Sequence, residues 1–376
     1  MPSERRLVLP TNWDPELLPR LAPLRPAYLY GSLPAERTLR TSVQLPQVGE
    51  REVEDGVAAA AAEGIGFLYV MNATCAGNSE LSEEGRWKIL QRCQWLCELG
   101  ASGVTLANPY VVELVRRSFP ELEVHVSVLA GVDSPRRASF YRDLGVTGIY
   151  LAPEVNRDFR RLRSIRRAVD CRLSVLVNEG CLLQCPLTQY HANVISHSGE
   201  SIAGRYHVDY CYFKCSQLKA AAPAEYLQMP WIRPEDLGRY EELGIDYAKL
   251  AGREKMGEGP ASHSDWIVRA AEAYHGRRCD DVAELLVGVE AVAPLREGAG
   301  EAVRVRIDSR ALDGFLRFFE RDSCDMGCGE CRYCDRWAER AVTLEGDRGR
   351  YEAQLERDLE RVRLGSYWTG EPGGPR

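Results

Sequence analysis

The feature that most constrains this chain is a rhythm: short apolar runs alternate with amphipathic stretches over its first two thirds. Nine runs read as strands, at 7–10, 28–30, 67–71, 104–107, 124–129, 148–151, 173–177, 226–229 and 247–250. Several are rich in Val, Leu and Tyr without polar alternation, the pattern of strands buried on both faces. Stretches of helical period lie between many of them, clearest at 58–62, 84–99, 109–118, 134–144 and 158–168. A βαβα order calls for a parallel sheet with crossover helices. Eight of the nine runs would close a TIM-type (β/α)8-like barrel, leaving one spurious or at an edge. A doubly wound open sheet is the alternative, but no GxGxxG follows the first strand, which removes the dinucleotide reading. Barrels of this type carry their sites at the C-terminal ends of the strands, so residues there are the candidates.

The rhythm ends near Arg253. Residues 255–264 are rich in Gly, Pro and polar side chains and read as a linker. A barrel is therefore expected over 1–255 and a smaller C-terminal α+β region over 256–376. The latter holds a helix at 266–274, a strand at 303–307, a helix at 311–319, a cysteine cluster and a last amphipathic helix. On that helix Tyr351, Leu355, Leu359 and Val362 share one face.

Thirteen cysteines, an odd number, occur in 376 residues. No apolar run reaches the roughly 18 residues of a membrane span, and the first residues do not read as a signal peptide. A cytoplasmic location is expected, where thiols stay reduced and clustered ones suggest a metal. The net charge of −7 opposes bulk binding to nucleic acid.

Two cysteine groups stand out. Cys181 and Cys185 follow the seventh candidate strand in Asn178-Glu-Gly-Cys-Leu-Leu-Gln-Cys-Pro186, and Cys211 and Cys215 form a second Cys-x-x-x-Cys pair. Thiolates are soft ligands for zinc or iron–sulfur clusters, and the three-residue gap with a following Pro leans towards iron–sulfur. The second group is Cys324-Asp-Met-Gly-Cys328-Gly-Glu-Cys331-Arg-Tyr-Cys334. Two Cys-x-x-Cys steps mark a metal site there, with zinc an open alternative and completion of the first site another. Cys93 and Cys97 share a helix face with Ile89 and Leu96 and read as core, while Cys171 and Cys279 carry no signal.

Other candidates sit at strand ends. Asn72 and Cys75 follow the third strand, Glu154 and Arg157 the sixth, and Lys249 and Arg253 the last. Cys75, Glu154 and His191 are candidates for catalysis. Asn72, Arg157, Tyr190, Lys249 and Arg253 are candidates for holding a substrate, the cations suiting a carboxylate. His197 and His207 fall in the same loop as His191 and read as backbone-bonding residues.

At Asn178-Glu-Gly-Cys-Leu-Leu-Gln-Cys-Pro-Leu-Thr-Gln-Tyr-His-Ala-Asn193 the sequence resembles peptidase family U32. The likeness continues through Asn72-Ala-Thr-Cys75, Trp231-Ile-Arg-Pro-Glu-Asp236 and Asp246-Tyr-Ala-Lys-Leu-Ala-Gly-Arg253. The resemblance implies a TIM-like barrel and a 4Fe-4S cluster held by four cysteines, with Cys181 and Cys185 on the family's cluster positions. It also implies activities that differ by branch: collagenase-like proteolysis, or oxygen-independent hydroxylation of ubiquinone precursors or RNA bases, with prephenate as an oxygen donor in some members. The protease branch's run of Glu and Phe leading to Gly-Ala-Cys is not present, and its nearest counterpart is Asn178-Glu-Gly-Cys181.

The expected function is an iron–sulfur-dependent, oxygen-independent hydroxylase or related modifying enzyme acting on a small anionic or aromatic molecule. A prephenate-like oxygen donor and a partner subunit or electron donor are its expected partners. The alternatives are an RNA base hydroxylase, a non-catalytic electron-transfer or scaffold subunit, and a peptidase.

Overall fold

The computed structural model describes residues 6–34, 36–37, 45–197, 210–253, 260–289, 303–325, 328 and 330–365. His207 and the first part of the expected linker lie outside them. Eight parallel strands close into a barrel in chain order: β1 (Leu7–Pro10), β2 (Tyr28–Gly31), β3 (Gly66–Met71), β4 (Gly103–Leu106), β5 (Glu123–Val126), β6 (Gly148–Tyr150), β7 (Arg172–Leu176) and β8 (Tyr247–Lys249). Closure runs through β1 and β8, where Leu7 pairs with Ala248 and Val8 with Lys249. The barrel is the expected fold, and the open sheet is excluded.

The ninth run is the spurious one. Residues 226–229 fall largely in a helix, Ala224–Gln228, whose Ala224, Tyr226 and Leu227 are buried. Four apolar residues are too few to display a period, so a buried helical turn and a buried strand look alike in sequence. The expected boundary at 255 falls between the last strand and its helix. Pro260–Gly276 packs on β1 and on the Leu17–Leu21 helix, completing the outer ring. The expected helix at 311–319 is interrupted: a 3-10 turn (Arg310–Leu312) and a short helix (Arg317–Glu320) flank Asp313–Gly314.

The C-terminal region adds a two-stranded antiparallel sheet, β9 (Arg304–Ile307) and β10 (Val342–Glu345), and the helices Tyr333–Ala341 and Arg348–Arg363. Among the described residues its main core is continuous with that of the barrel's outer layer. One apolar cluster runs from the barrel's outer layer through Ile267 and Tyr274 to Phe315, Phe319 and Ala338. A second, small cluster joins Leu355 and Leu359 of the terminal helix to Phe213 and Ala220 of the Tyr210–Ala221 helix. The amphipathic face read from the sequence thus covers the helix that carries Cys211 and Cys215. Among the described residues no helix is long and apolar enough to cross a membrane.

Candidate functional site

The barrel interior begins, at its base, with a closed polar network. Tyr28 donates to Glu123 Oε2 at 2.8 Å, His125 Nε2 lies 3.0 Å from the same oxygen, and Arg172 donates to the Tyr28 hydroxyl at 2.6 Å. Burial works against the Glu123 charge, but its bonds from His125 and Tyr28 outweigh that and hold its pKa below the ordinary value. His125 is fully buried. Desolvation lowers its pKa against the pull of Glu123, so the ring is neutral at pH 7.

Above this base, four buried polar atoms on successive strands have no hydrogen-bond partner among the described residues: Thr105 Oγ1, His125 Nδ1, Tyr150 hydroxyl and Ser174 Oγ. Thr105 is opposite His125, and Tyr150 is opposite Ser174, across neighbouring strands. Period-2 geometry turns all four inward, and atoms of this kind are normally satisfied by water or a ligand group.

At the mouth the electrostatics invert. Lys249 ends β8 with its Nζ 4.2 Å from the centre of the Tyr30 ring and 4.3 Å from that of Tyr150. Among the described residues it makes no hydrogen bond or ion pair. Desolvation, and then the neighbouring Arg253, bring its pKa down to about 7. Arg253 donates to Ser32 Oγ at 2.8 Å and lies 5.6 Å from the Tyr30 ring. Gly252 between them is required: a Cβ there would meet the Trp266 ring at 2.2 Å, so only glycine lets the chain pass. Asn72 braces the rim from the β3 side by donating to Ser127 Oγ at 3.1 Å.

The first cysteine loop leaves β7 at this same end. Asn178 donates to Ala251 O and Leu285 O and accepts from Ala251 N, tying the loop to the segment between Lys249 and Arg253. Glu179 and Gly180 pair with Val287, and a Cβ on Gly180 would meet Val287 O at 2.5 Å. Cys181 is exposed and its thiol donates to Glu179 Oε1 at 3.2 Å. Cys215 and Lys219, on the Tyr210–Ala221 helix, lie near enough to act on its charge. Lys219 anchors that helix by donating to Gly288 O. Cys185 is half-buried and Cys211 buried.

The second cysteine group sits next to the first. Cys324, Cys328 and Cys334 line one small cavity with Leu183 from the first cysteine loop and with Glu154 and Arg157 from the loop after β6. Burial pushes the Cys334 thiol up to about 11 against the pull of Arg157, with the other three thiols adding to the rise. Cys331 is exposed. Among the described residues no three His, Cys, Asp or Glu side chains are arranged to hold a metal ion. The donors are of the soft kind that a metal or cluster takes: Cys181 lies near Cys215, and Cys324, Cys328 and Cys334 line one cavity.

The remaining expected residues are dispersed. Arg157 is buried, donates to Leu227 O and Trp231 O, and stacks within 5.4 Å of the Trp231, Phe315 and Phe319 rings. These bonds and ring contacts join the C-terminal region to the barrel, and the residue also lines the cysteine cavity. Glu154 faces the cysteine cavity. Cys75 is half-buried and its sulfur accepts from Gly77 N. Its loop crosses to the Thr188–Ser196 helix, where Thr74 bonds Asn193 and Ser196. That helix holds His191, half-buried, and Tyr190, 57% exposed and turned to solvent. Cys93 is core, as expected. Tyr30, Tyr150, His125, Glu123 and Ser127 were not singled out from sequence. The available signal was the Tyr28-Leu29-Tyr30 spacing, which places two tyrosines on one strand face. A roomier cavity of about 570 Å³ lies beyond the β3 and β4 ends. Its Glu36, Glu50 and Glu80 are matched by Arg37, Lys88 and Arg92, so its charge favours no anion.

The family model for peptidase family U32 matches residues 39–284. The chain belongs to that family. An uncharacterised protease of Methanocaldococcus jannaschii is 34% identical over 281 residues, covering 74% of this chain and 78% of that protein. The solved U32 peptidase Mk0906 superposes with a TM-score of 0.51 at 26% identity, over 69% of this chain and 95% of that one. The tRNA hydroxylation protein P1 of Bacillus subtilis is 24% identical over 171 residues, and the match spans 43% of this chain and 40% of that relative. Membership and the likeness to Mk0906 agree with the barrel fold. They leave open which chemistry this member performs.

Proposed function

We propose that this U32 protein is an iron–sulfur-dependent, oxygen-independent hydroxylase or related modifying enzyme acting on a small anionic or aromatic molecule. The observation that carries the reading is the tie, through Asn178, between the Cys181–Cys185 loop and the Lys249–Arg253 segment. It brings soft metal donors and an uncompensated cation to one rim of one barrel. Cys181, Cys185, Cys211 and Cys215 would hold a 4Fe-4S cluster. Cys324, Cys328, Cys331 and Cys334 would hold a second centre, of iron or zinc, or share the first. When bound, such a cluster supplies electrons or a Lewis-acidic iron. Arg253 and Lys249 attract the anion, Tyr30 and Tyr150 offer it an aromatic wall, and the unpartnered hydroxyls inside the barrel offer hydrogen bonds. Cys75 and His191, across the rim on the β3 side, are the candidates for proton handling. An anionic oxygen donor of the prephenate type suits the same cations.

A second reading, modification of an RNA base, is favoured by the relatives named as tRNA hydroxylation proteins. The chain's net charge of −7 weighs against it. The two separate in cells grown without oxygen, with and without this protein, when metabolites and digested RNA are compared by mass spectrometry. A hydroxylated small molecule that depends on the protein supports the first reading. A change confined to a nucleoside supports the second. Proteolysis by protein stripped of iron would overturn both in favour of a peptidase.

A further inference from the structure

We propose that Lys249 is a carbonyl-reactive amine that forms an imine with a 2-oxo acid at the barrel mouth. The inference deepens the reading above by naming the class of anion, and it rests on that reading only for the use of the mouth as a substrate site.

The geometry is that of a nucleophilic lysine and not of a salt-bridging one. The amine ends an interior strand and lies against two tyrosine rings, at 4.2 and 4.3 Å. Lys249 is 8% exposed. Among the described residues the groups that face it are Tyr30 from β2, His125 from β5, Tyr150 from β6 and Arg253 beyond its own strand, and none of these is a carboxylate. Glu123, the acid of the interior network, is engaged by His125 and Tyr28 at the base. Desolvation and an adjacent cation are the two devices that free a lysine of its proton near neutral pH, and both act here. In this proposal the adjacent Arg253 guanidinium is the group that draws a carboxylate. A carbonyl next to a carboxylate therefore meets both needs of the site.

The step balances without an oxidant or reductant. The Nζ lone pair attacks the carbonyl carbon as the C=O π bond opens, and a proton passes from nitrogen to oxygen to give the carbinolamine. Loss of water forms the C=N bond, so amine plus ketone gives imine plus water. Tyr150 is suited to assist the departing oxygen: its hydroxyl is buried without a partner, and burial keeps it protonated.

The test uses the full-length protein with pyruvate and sodium cyanoborohydride, which reduces an imine to a stable amine. The chain has only five lysines, at 88, 214, 219, 249 and 255, so peptide mapping assigns the adduct cleanly. The expected result is one reduced pyruvate adduct, on Lys249. It should be lost in Lys249→Met and in Lys249→Arg, and weakened in Arg253→Gln. Circular dichroism establishes that each variant folds. Trace labelling with acetic anhydride reads the amine's own titration, and Lys249 should become reactive through about pH 7, ahead of the surface lysines. An adduct spread over the surface lysines, or undiminished in Lys249→Met, would overturn the proposal. So would a Lys249 that titrates with the surface lysines. No iron enters this assay, so its failure is distinguishable from failure of the cluster reading.

Discussion

At the base of the barrel Glu123 accepts bonds from Tyr28 and His125 and lies 3.9 Å from Arg172. At the mouth Lys249 meets two aromatic rings and a second cation, and among the described residues no carboxylate. At the base the buried His125 and the half-buried Glu123 are bonded to each other, whereas the buried Lys249 at the mouth has no acidic partner among the described residues. Burying an uncompensated cation costs stability, whereas a paired and hydrogen-bonded charge largely offsets its own desolvation. On the proposed reading the base serves the fold, and Lys249 at the mouth is a group held for a ligand.

Three variants sharpen or break that contrast. The largest effect is expected at Arg157, which sits on the mouth side but has protein partners. Arg157→Ala removes the bonds to Leu227 O and Trp231 O and the stacking on Trp231, Phe315 and Phe319, for a loss of about 3–4 kcal/mol in urea unfolding. A loss below about 1 kcal/mol would put Arg157 with Lys249, as a group held for a ligand.

Next comes the base. Glu123→Ala leaves Tyr28 and buried His125 without their acceptor and should cost about 2 kcal/mol, while pyruvate trapping at the mouth persists. Because the folded-state pKa of Glu123 lies below its unfolded value, its contribution is present at neutral pH and fades as pH falls through the carboxylate range. A trapping yield that collapses with a stable Glu123→Ala fold would show that the two ends are not separable.

The smallest stability effect belongs to Lys249→Met, within about 1 kcal/mol at pH 6 and in the stabilising direction. The folded-state pKa of Lys249, about 7, lies below its ordinary 10.5. Between those values the unfolded chain binds the extra proton, so the wild type gains stability as pH rises from 7 towards 10. The variant should lack that rise. A clear destabilisation by Lys249→Met at every pH would mark the residue as structural and erase the contrast.

The barrel was legible because its strands are continuous apolar runs at regular spacing, and eight of the nine runs became strands. The run 226–229 misled because a single buried turn has no period to betray it. The linker reading failed at 260–264 because Pro at a first helical position is as natural as Pro in a loop. Lys249 and Arg253 could be picked out by their place at a strand end. Arg157 carried the same mark, and only packing reveals its bonds to two carbonyls and its contacts with three rings. The inward tyrosines and His125 carried no motif at all. Their importance comes from strands that are far apart in sequence, and strand register is invisible until the barrel closes.

The central claim is that the two cysteine groups make this a cluster-dependent enzyme. The most direct measurement is purification without oxygen, followed by a visible absorption spectrum and assays of iron, sulfide and zinc on the wild type and on Cys181→Ala. The account predicts a coloured protein carrying iron and sulfide, with the iron lost or sharply reduced in Cys181→Ala. A colourless protein with stoichiometric zinc and no sulfide would contradict it.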